Sequence, residues 1–128
     1  MDRNDELERL TRAWNDAWNS RESESLAAFF TPTATYYEPG LDGGPVSARE
    51  GIVQSAQKTW EDWPEATFEQ VSITIGGDRV VLEWRSTAVH RSGQTINLEG
   101  VDILEWEGDK LSAARVYYDE HSRRSQLS

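Results

Sequence analysis

Leu7, Leu10, Trp14, Ala17 and Trp18 recur at helical spacing, so the pattern predicts an amphipathic helix over roughly Asn4 to Asn19. Ser23 is placed to cap a second, short helix in ESLAAFF. Thr31-Pro32 should stop it, because the residue before a proline is pushed out of the helical region. A strand, Ala34 to Glu38, then ends at Pro39 and leads into a glycine-rich loop with Gly40, Gly43 and Gly44. Ser47-Ala48-Arg49-Glu50 has capping-box spacing, and Ile52, Val53, Ala56 and Trp60 carry one apolar face onward until Trp63-Pro64.

From Thr67 the period changes to two. Thr67 to Ile75 alternates, with Phe68 off phase. Gly76-Gly77-Asp78 predicts a turn into Arg79 to His90, where Leu82, Trp84, Ser86, Ala88 and His90 share one face. The opposite face carries Val81, Glu83, Arg85, Thr87 and Val89. Arg91-Ser92-Gly93-Gln94 turns into Thr95 to Trp106, and Glu107-Gly108-Asp109 turns into Leu111 to Tyr118. Asp119 reads as the cap of a last helix, EHSRRSQL. The order is helix, helix, strand, helix, then a meander of four long strands.

At 128 residues the chain is expected to form one domain, residues 1–128, with a core large enough to enclose a small cavity. A hydrophobic content of 37% with 28% charged residues is that of an ordinary globular protein. No apolar run approaches a membrane span, and MDRNDELERL reads as charged helix rather than a signal peptide, so no membrane partner is expected. The absence of cysteine removes disulfides, thiol catalysis and thiolate metal sites, which fits a cytoplasmic setting. A net charge of −10 argues against nucleic acid, which needs a basic face. Six tryptophans are many for this length, and aromatic walls around a ligand are one reading of them beside core filling.

Helices packed on one side of a strongly curved antiparallel sheet give an α+β cone with an apolar interior. The chain resembles the nuclear transport factor 2-like superfamily, and particularly its SnoaL-like and ketosteroid-isomerase-like members. The likeness rests on AWNDAWNSRESESLAAFF, the strand end ATYYEP, the REGI helix start, VVLEWRSTAVH, GVDILEW with its EGDK turn, and the closing RVYYD. It implies a cone-shaped α+β barrel, with three N-terminal helices on a curved, mostly antiparallel sheet enclosing a pocket. This fold hosts isomerases, dehydratases, cyclases, epoxide hydrolases and inert binders alike.

Two acids stand out. Glu38 ends the ATYYEP strand, where the ketosteroid isomerases are similar in carrying the carboxylate that transfers the proton. Asp102 interrupts the apolar strand GVDILEW, where the resemblance implies an acid that stays protonated and donates to a developing oxyanion. One carboxyl ionised and one kept neutral by an apolar site is the division of labour that the resemblance to ketosteroid isomerase implies. Pleat alternation adds that an inward Asp102 would carry Leu98, Leu104 and Trp106 inward and send Glu99 and Glu105 outward. Trp14 stands where the resemblance would put the oxyanion tyrosine, and Val116 where the epoxide-hydrolase and ester-cyclising branches carry a further acid. A structural use of both acids, bonded to neighbours, is the alternative.

Around this pair, Trp14, Trp18, Tyr36, Trp60, Trp63, Trp84 and Tyr118 are candidate substrate-binding residues, and His90 is a candidate proton shuttle at the cavity mouth. Two separated histidines without ligand spacing give no metal site, and no phosphate or dinucleotide fingerprint is present, so no cofactor is expected. The sequence thus points to a SnoaL-like isomerase, cyclase or dehydratase working by carboxylate proton transfer on a small apolar carbonyl or polycyclic compound. The alternative is a non-catalytic small-molecule-binding or dimerisation module of the same fold. A homodimer through the outer sheet face is expected in either case.

Overall fold

A computed structural model describes residues 2–39 and 46–127. The expected glycine-rich loop at 40–44 lies outside the described residues. Helix α1 spans Arg3–Ser20, its first turn closed by the Asp2 carboxylate, which accepts from the Asp5 backbone N–H at 2.8 Å. It buries the predicted stripe and ends at Arg21, which adopts a left-handed conformation (φ 61°). The Arg21 guanidinium donates to the carbonyls of Trp60 (2.8 Å) and Trp63 (3.0 Å). The strained turn that ends α1 therefore satisfies the last carbonyls of the third helix and ties the two helix ends together.

Helix α2 (Ser23–Ala27) is shorter than the pattern suggested. Its N-cap is Glu22, not Ser23, and Thr31-Pro32 does not stop it, because strand β1 already begins at Phe30 (Phe30–Tyr37). The two-residue strand β2 (Val46–Ser47) leads into α3 (Ala48–Asp62). Ser47 is the N-cap residue of α3, but its side chain makes no capping hydrogen bond, so the capping box is not formed.

Strands β3 (Glu65–Gly76), β4 (Arg79–Val89), β5 (Thr95–Glu107) and β6 (Lys110–Tyr118) form the meander, and α4 (Glu120–Leu127) closes the chain. The sheet order is β2-β1-β6-β5-β4-β3, antiparallel throughout except for the β1–β6 pair. The off-phase Phe68 has a simple cause. Gln70 pairs with Trp84 but Ser72 with Glu83, so Val71 is a bulged residue. Inward positions are even before it (Ala66, Phe68) and odd after it (Ile73, Ile75). A second irregularity, opposite Glu105 and Trp106, leaves Ser112 as the extra residue. Such bulges bend the sheet, and the concave side is covered by α1 against β3 and by α3 against β1. Asp102, Leu104 and Trp106 do face inward, as alternation required, while Glu99 is exposed. Among the described residues no helix is long and apolar enough to cross a membrane.

Candidate functional site

The open end of the cone holds a cavity of about 430 Å³. Its wall includes Trp18, Trp63, Phe68 and Trp84, and its polar groups include Tyr36, Glu38, Ser55, Asp62, Asp102 and Tyr118. Lys58 and Arg123 also reach the lining, on the α3 and α4 sides. Helix α4 is anchored there by the Asp119 cap (Ser122 N–H donating at 3.0 Å). The Gln126 amide clamps the Asn97 backbone through two bonds of 2.8 Å. Arg123 is held by Glu120.

Asp102 sits in the interior, 5% exposed, opposite Val116 on β6 and Leu82 on β4. Both of its oxygens accept hydrogen bonds from indoles: Oδ2 from Trp14 Nε1 at 3.0 Å and Oδ1 from Trp84 Nε1 at 2.8 Å. Trp84 pairs with Gly100 across the β4–β5 ladder, and its ring lies over that glycine. A Cβ at Gly100 would stand 2.3 Å from Trp84 Cζ2 and 2.7 Å from the Tyr117 carbonyl oxygen. Only glycine leaves the indole room to cross β5 and reach the acid two residues on. Burial raises the Asp102 carboxyl to about 6, partly offset by the Trp14 and then the Trp84 hydrogen bond, with a further rise from the Glu38 charge.

Glu38 follows β1 directly and is half-buried. Its Oε1 accepts from the Ser55 hydroxyl of α3. Burial raises its carboxyl, while Ser55, Arg123 and Lys58 pull the other way and Glu120 adds to the rise. Two residues before Glu38, on β1, lies Tyr36, 1% exposed, whose hydroxyl makes no hydrogen bond among the described residues. Burial and then the charges of Glu38 and Asp102 push this phenol well above its ordinary range, and nearby Ser55, whose proton goes to Glu38, tempers the rise. Tyr118 is raised by burial and by Glu38 as well.

The structure thus brings Glu38, Asp102, Tyr36, Trp18, Trp63, Trp84 and Tyr118 to one cavity. Three candidates stand elsewhere. Trp14 is fully buried behind Asp102, its ring edge-on to Trp18, Phe29 and Phe30, so it holds the acid and does not line the cavity. Trp60 packs edge-on against Trp18 with the Arg21 guanidinium 5.8 Å above its ring, outside the wall. His90 lies in the β4–β5 turn, edge-on to Trp63 at 4.8 Å and bonded to Ser92. It leaves the Trp84 face because β4 ends at Val89. Sequence reasoning missed Ser55, Lys58 and Arg123. Ser55 had a faint signal, since it interrupts the apolar face of α3 between Ile52 and Ala56. Among the described residues no cluster of three or more His, Asp or Glu side chains could hold a metal ion.

A protein-family model described as a SnoaL-like domain matches residues 11–114. The chain belongs to this SnoaL-like family. No protein of curated function matches it. Among solved structures, a proposed polyketide cyclase of Xanthomonas campestris pv. campestris superposes with a TM-score of 0.87 at 18% identity, covering 97% of this chain and 98% of that one. AclR of Streptomyces galilaeus, a proposed hydroxylase, gives 0.82 at 21% identity over 95% and 84% of the two chains. A proposed SnoaL-like polyketide cyclase of Jannaschia sp. CCS1 gives 0.83 at 16% identity over 96% and 92%. At these identities the neighbours show the shared fold alone.

Proposed function

We propose that this SnoaL-like protein is a cofactor-independent enzyme that moves a proton on a small, largely apolar carbonyl compound. The observation that carries the reading is the pair of carboxyl groups, Glu38 and Asp102, both raised by burial and both lining one aromatic-walled cavity. A carboxyl poised toward neutrality exchanges protons with a weak carbon acid better than a solvated one does. Glu38, nearer the cations at the mouth and braced by Ser55, is the general base that removes a proton beside the carbonyl and returns it.

The oxyanion partner follows from donor counting. Both Asp102 oxygens already face N–H donors, which favour its ionised form, and a group at about 6 is largely ionised at neutral pH. The Tyr36 hydroxyl is buried and makes no hydrogen bond among the described residues, so it is the donor available to a developing enolate oxygen. This moves the donor from the acid, where the resemblance implied it, to the phenol. Isomerisation, dehydration and ring closure all begin with such a step, and the polyketide cyclases among the structural neighbours are consistent with it.

The test is α-proton exchange in D2O, followed by NMR for a panel of cyclic ketones and enones that fit about 430 Å³. The expected outcome is exchange above background that falls roughly 10²–10⁴-fold in Glu38→Gln. Compounds that bind the wild type yet exchange only at the solvent rate would instead establish the non-catalytic binding module. Association through the outer face, where Val71 and Tyr117 are exposed, is a separate proposal that light scattering tests; a monomer at micromolar concentration refutes it.

A further inference from the structure

The charge balance of the cavity is uneven. Among the described residues neither Asp102 nor Glu38 has an ion-pair partner, and no cation is among the groups that act on Asp102. Its neighbours are Trp14 of α1 and Trp84 of β4, both neutral donors, with the Glu38 carboxylate and Tyr36 of β1 as the titratable groups closest in influence. The two indoles occupy one lone pair on each Asp102 oxygen, and a carboxylate has about four such sites. The remainder belong to a side chain that lines the cavity. At the mouth, Arg123 is neutralised by Glu120, and Lys58 is exposed to solvent. The cavity that Asp102 lines has aromatic walls, from Trp18, Phe68, Trp84 and Tyr118. An anion in such surroundings, with no ion-pair partner among the described residues, is completed by a cation better than by a neutral group, because aromatic rings attract cations and a buried site screens little. Tyr36 supplies an independent requirement: its buried hydroxyl, without a hydrogen-bond partner among the described residues, calls for an acceptor on the same ligand.

We propose that the cavity selects a positively charged substrate, an apolar carbonyl compound bearing a protonated or quaternary amine, with Asp102 as its counter-ion and Tyr36 on its carbonyl oxygen. The inference names the substrate class of the proton-transfer site and rests on that reading only for the carbonyl. The charge preference is a binding property and is measured without turnover.

The probe is an isosteric pair, phenyltrimethylammonium and tert-butylbenzene, titrated against the intact protein by tryptophan fluorescence and saturation-transfer NMR. The expected result is a preference for the cation of about tenfold or more at pH 7.5. The cation's affinity should weaken as pH falls through about 6, where Asp102 takes up its proton, while that of the neutral compound stays level. In Asp102→Asn, checked for folding by circular dichroism, the preference should disappear. Trp84→Phe removes one donor to the carboxylate and should move the pH midpoint for cation binding upward, a shift that a merely structural tryptophan would not produce. Equal or better binding of tert-butylbenzene overturns the proposal, as does failure of both compounds to bind. A cation preference that survives Asp102→Asn but vanishes in Glu38→Gln overturns the assignment to Asp102. None of these outcomes depends on carbon-acid exchange, so loss of exchange alone refutes the proton-transfer reading and leaves the ligand class standing.

Discussion

Replacing Asp102 with asparagine tests whether this carboxylate is held at a cost to the fold. In the native state burial raises the group from 3.8 to about 6. At about 1.4 kcal/mol per pKa unit, that amounts to about 3 kcal/mol of differential stability. The sign follows from proton binding. Between the unfolded and folded values the native state holds the proton more tightly, so the contribution is fully present below 3.8 and is lost as pH rises through about 6. At pH 8 the wild type therefore carries the whole penalty of an ionised, buried acid. Asparagine removes it, but its amide N–H₂ now opposes one of the two indole donors, an uncompensated contact costing about 1–3 kcal/mol. The net change at pH 8 is thus near zero or slightly stabilising. At pH 4, with the wild-type acid largely protonated in the native state, the same substitution should be worse by about 2 kcal/mol. Urea unfolding of both proteins at pH 8 and pH 4 reads this directly, and titrations of distant groups cancel in the difference. A variant equally destabilised at the two pH values would refute the reasoning, because Asp102 would then not be a raised, buried carboxyl.

Other outcomes follow from the same geometry. Gly100→Ala should cost about 2–4 kcal/mol, because the new methyl displaces Trp84 and breaks its bond to Asp102. Wild-type stability in chemical denaturation would show that the indole does not cross this glycine. Tyr36→Phe should leave stability unchanged or raise it by about 1 kcal/mol, since it deletes a buried hydroxyl without a partner, while slowing α-proton exchange roughly 10²-fold. A loss of stability without loss of exchange would assign Tyr36 to the core alone. Ser55→Ala removes a donor that lowers the Glu38 carboxyl, so the acid limb of the exchange–pH profile should move to higher pH. An unmoved limb would show that Glu38 is not the group being titrated.

Hydrophobic periodicity determined the order of the long helices and strands and the inward face of β5. Those features depend on spacings of two and 3.6 residues, which a single segment displays without knowledge of its partners. The end of the second helix was misjudged for the converse reason. Phe29 and Phe30 continue its apolar run, yet Phe30 is claimed by the parallel pairing of β1 with β6, a contact 81 residues away along the chain, at Leu111. The unpaired phase of Phe68 was visible as an anomaly, but the bulge at Val71 that explains it needs the register against β4.

The site divides in the same way. Glu38 and Asp102 were legible because a carboxylate beside or within an apolar strand breaks a pattern, and burying one costs free energy that chance rarely leaves standing. Their setting was not legible. Nothing in the sequence says that Trp14 and Trp84, from α1 and β4, aim their N–H groups at the same acid. Nor does it say that Gly100 makes room for one of them, or that Tyr36 is left without a partner. Hydrogen bonds are directional and short, so their presence depends on where distant elements come to rest to within a fraction of an ångström. The sequence supplied an acid in an apolar strand, and only the packing of four elements around it decided its partners, its protonation and the charge it lacks.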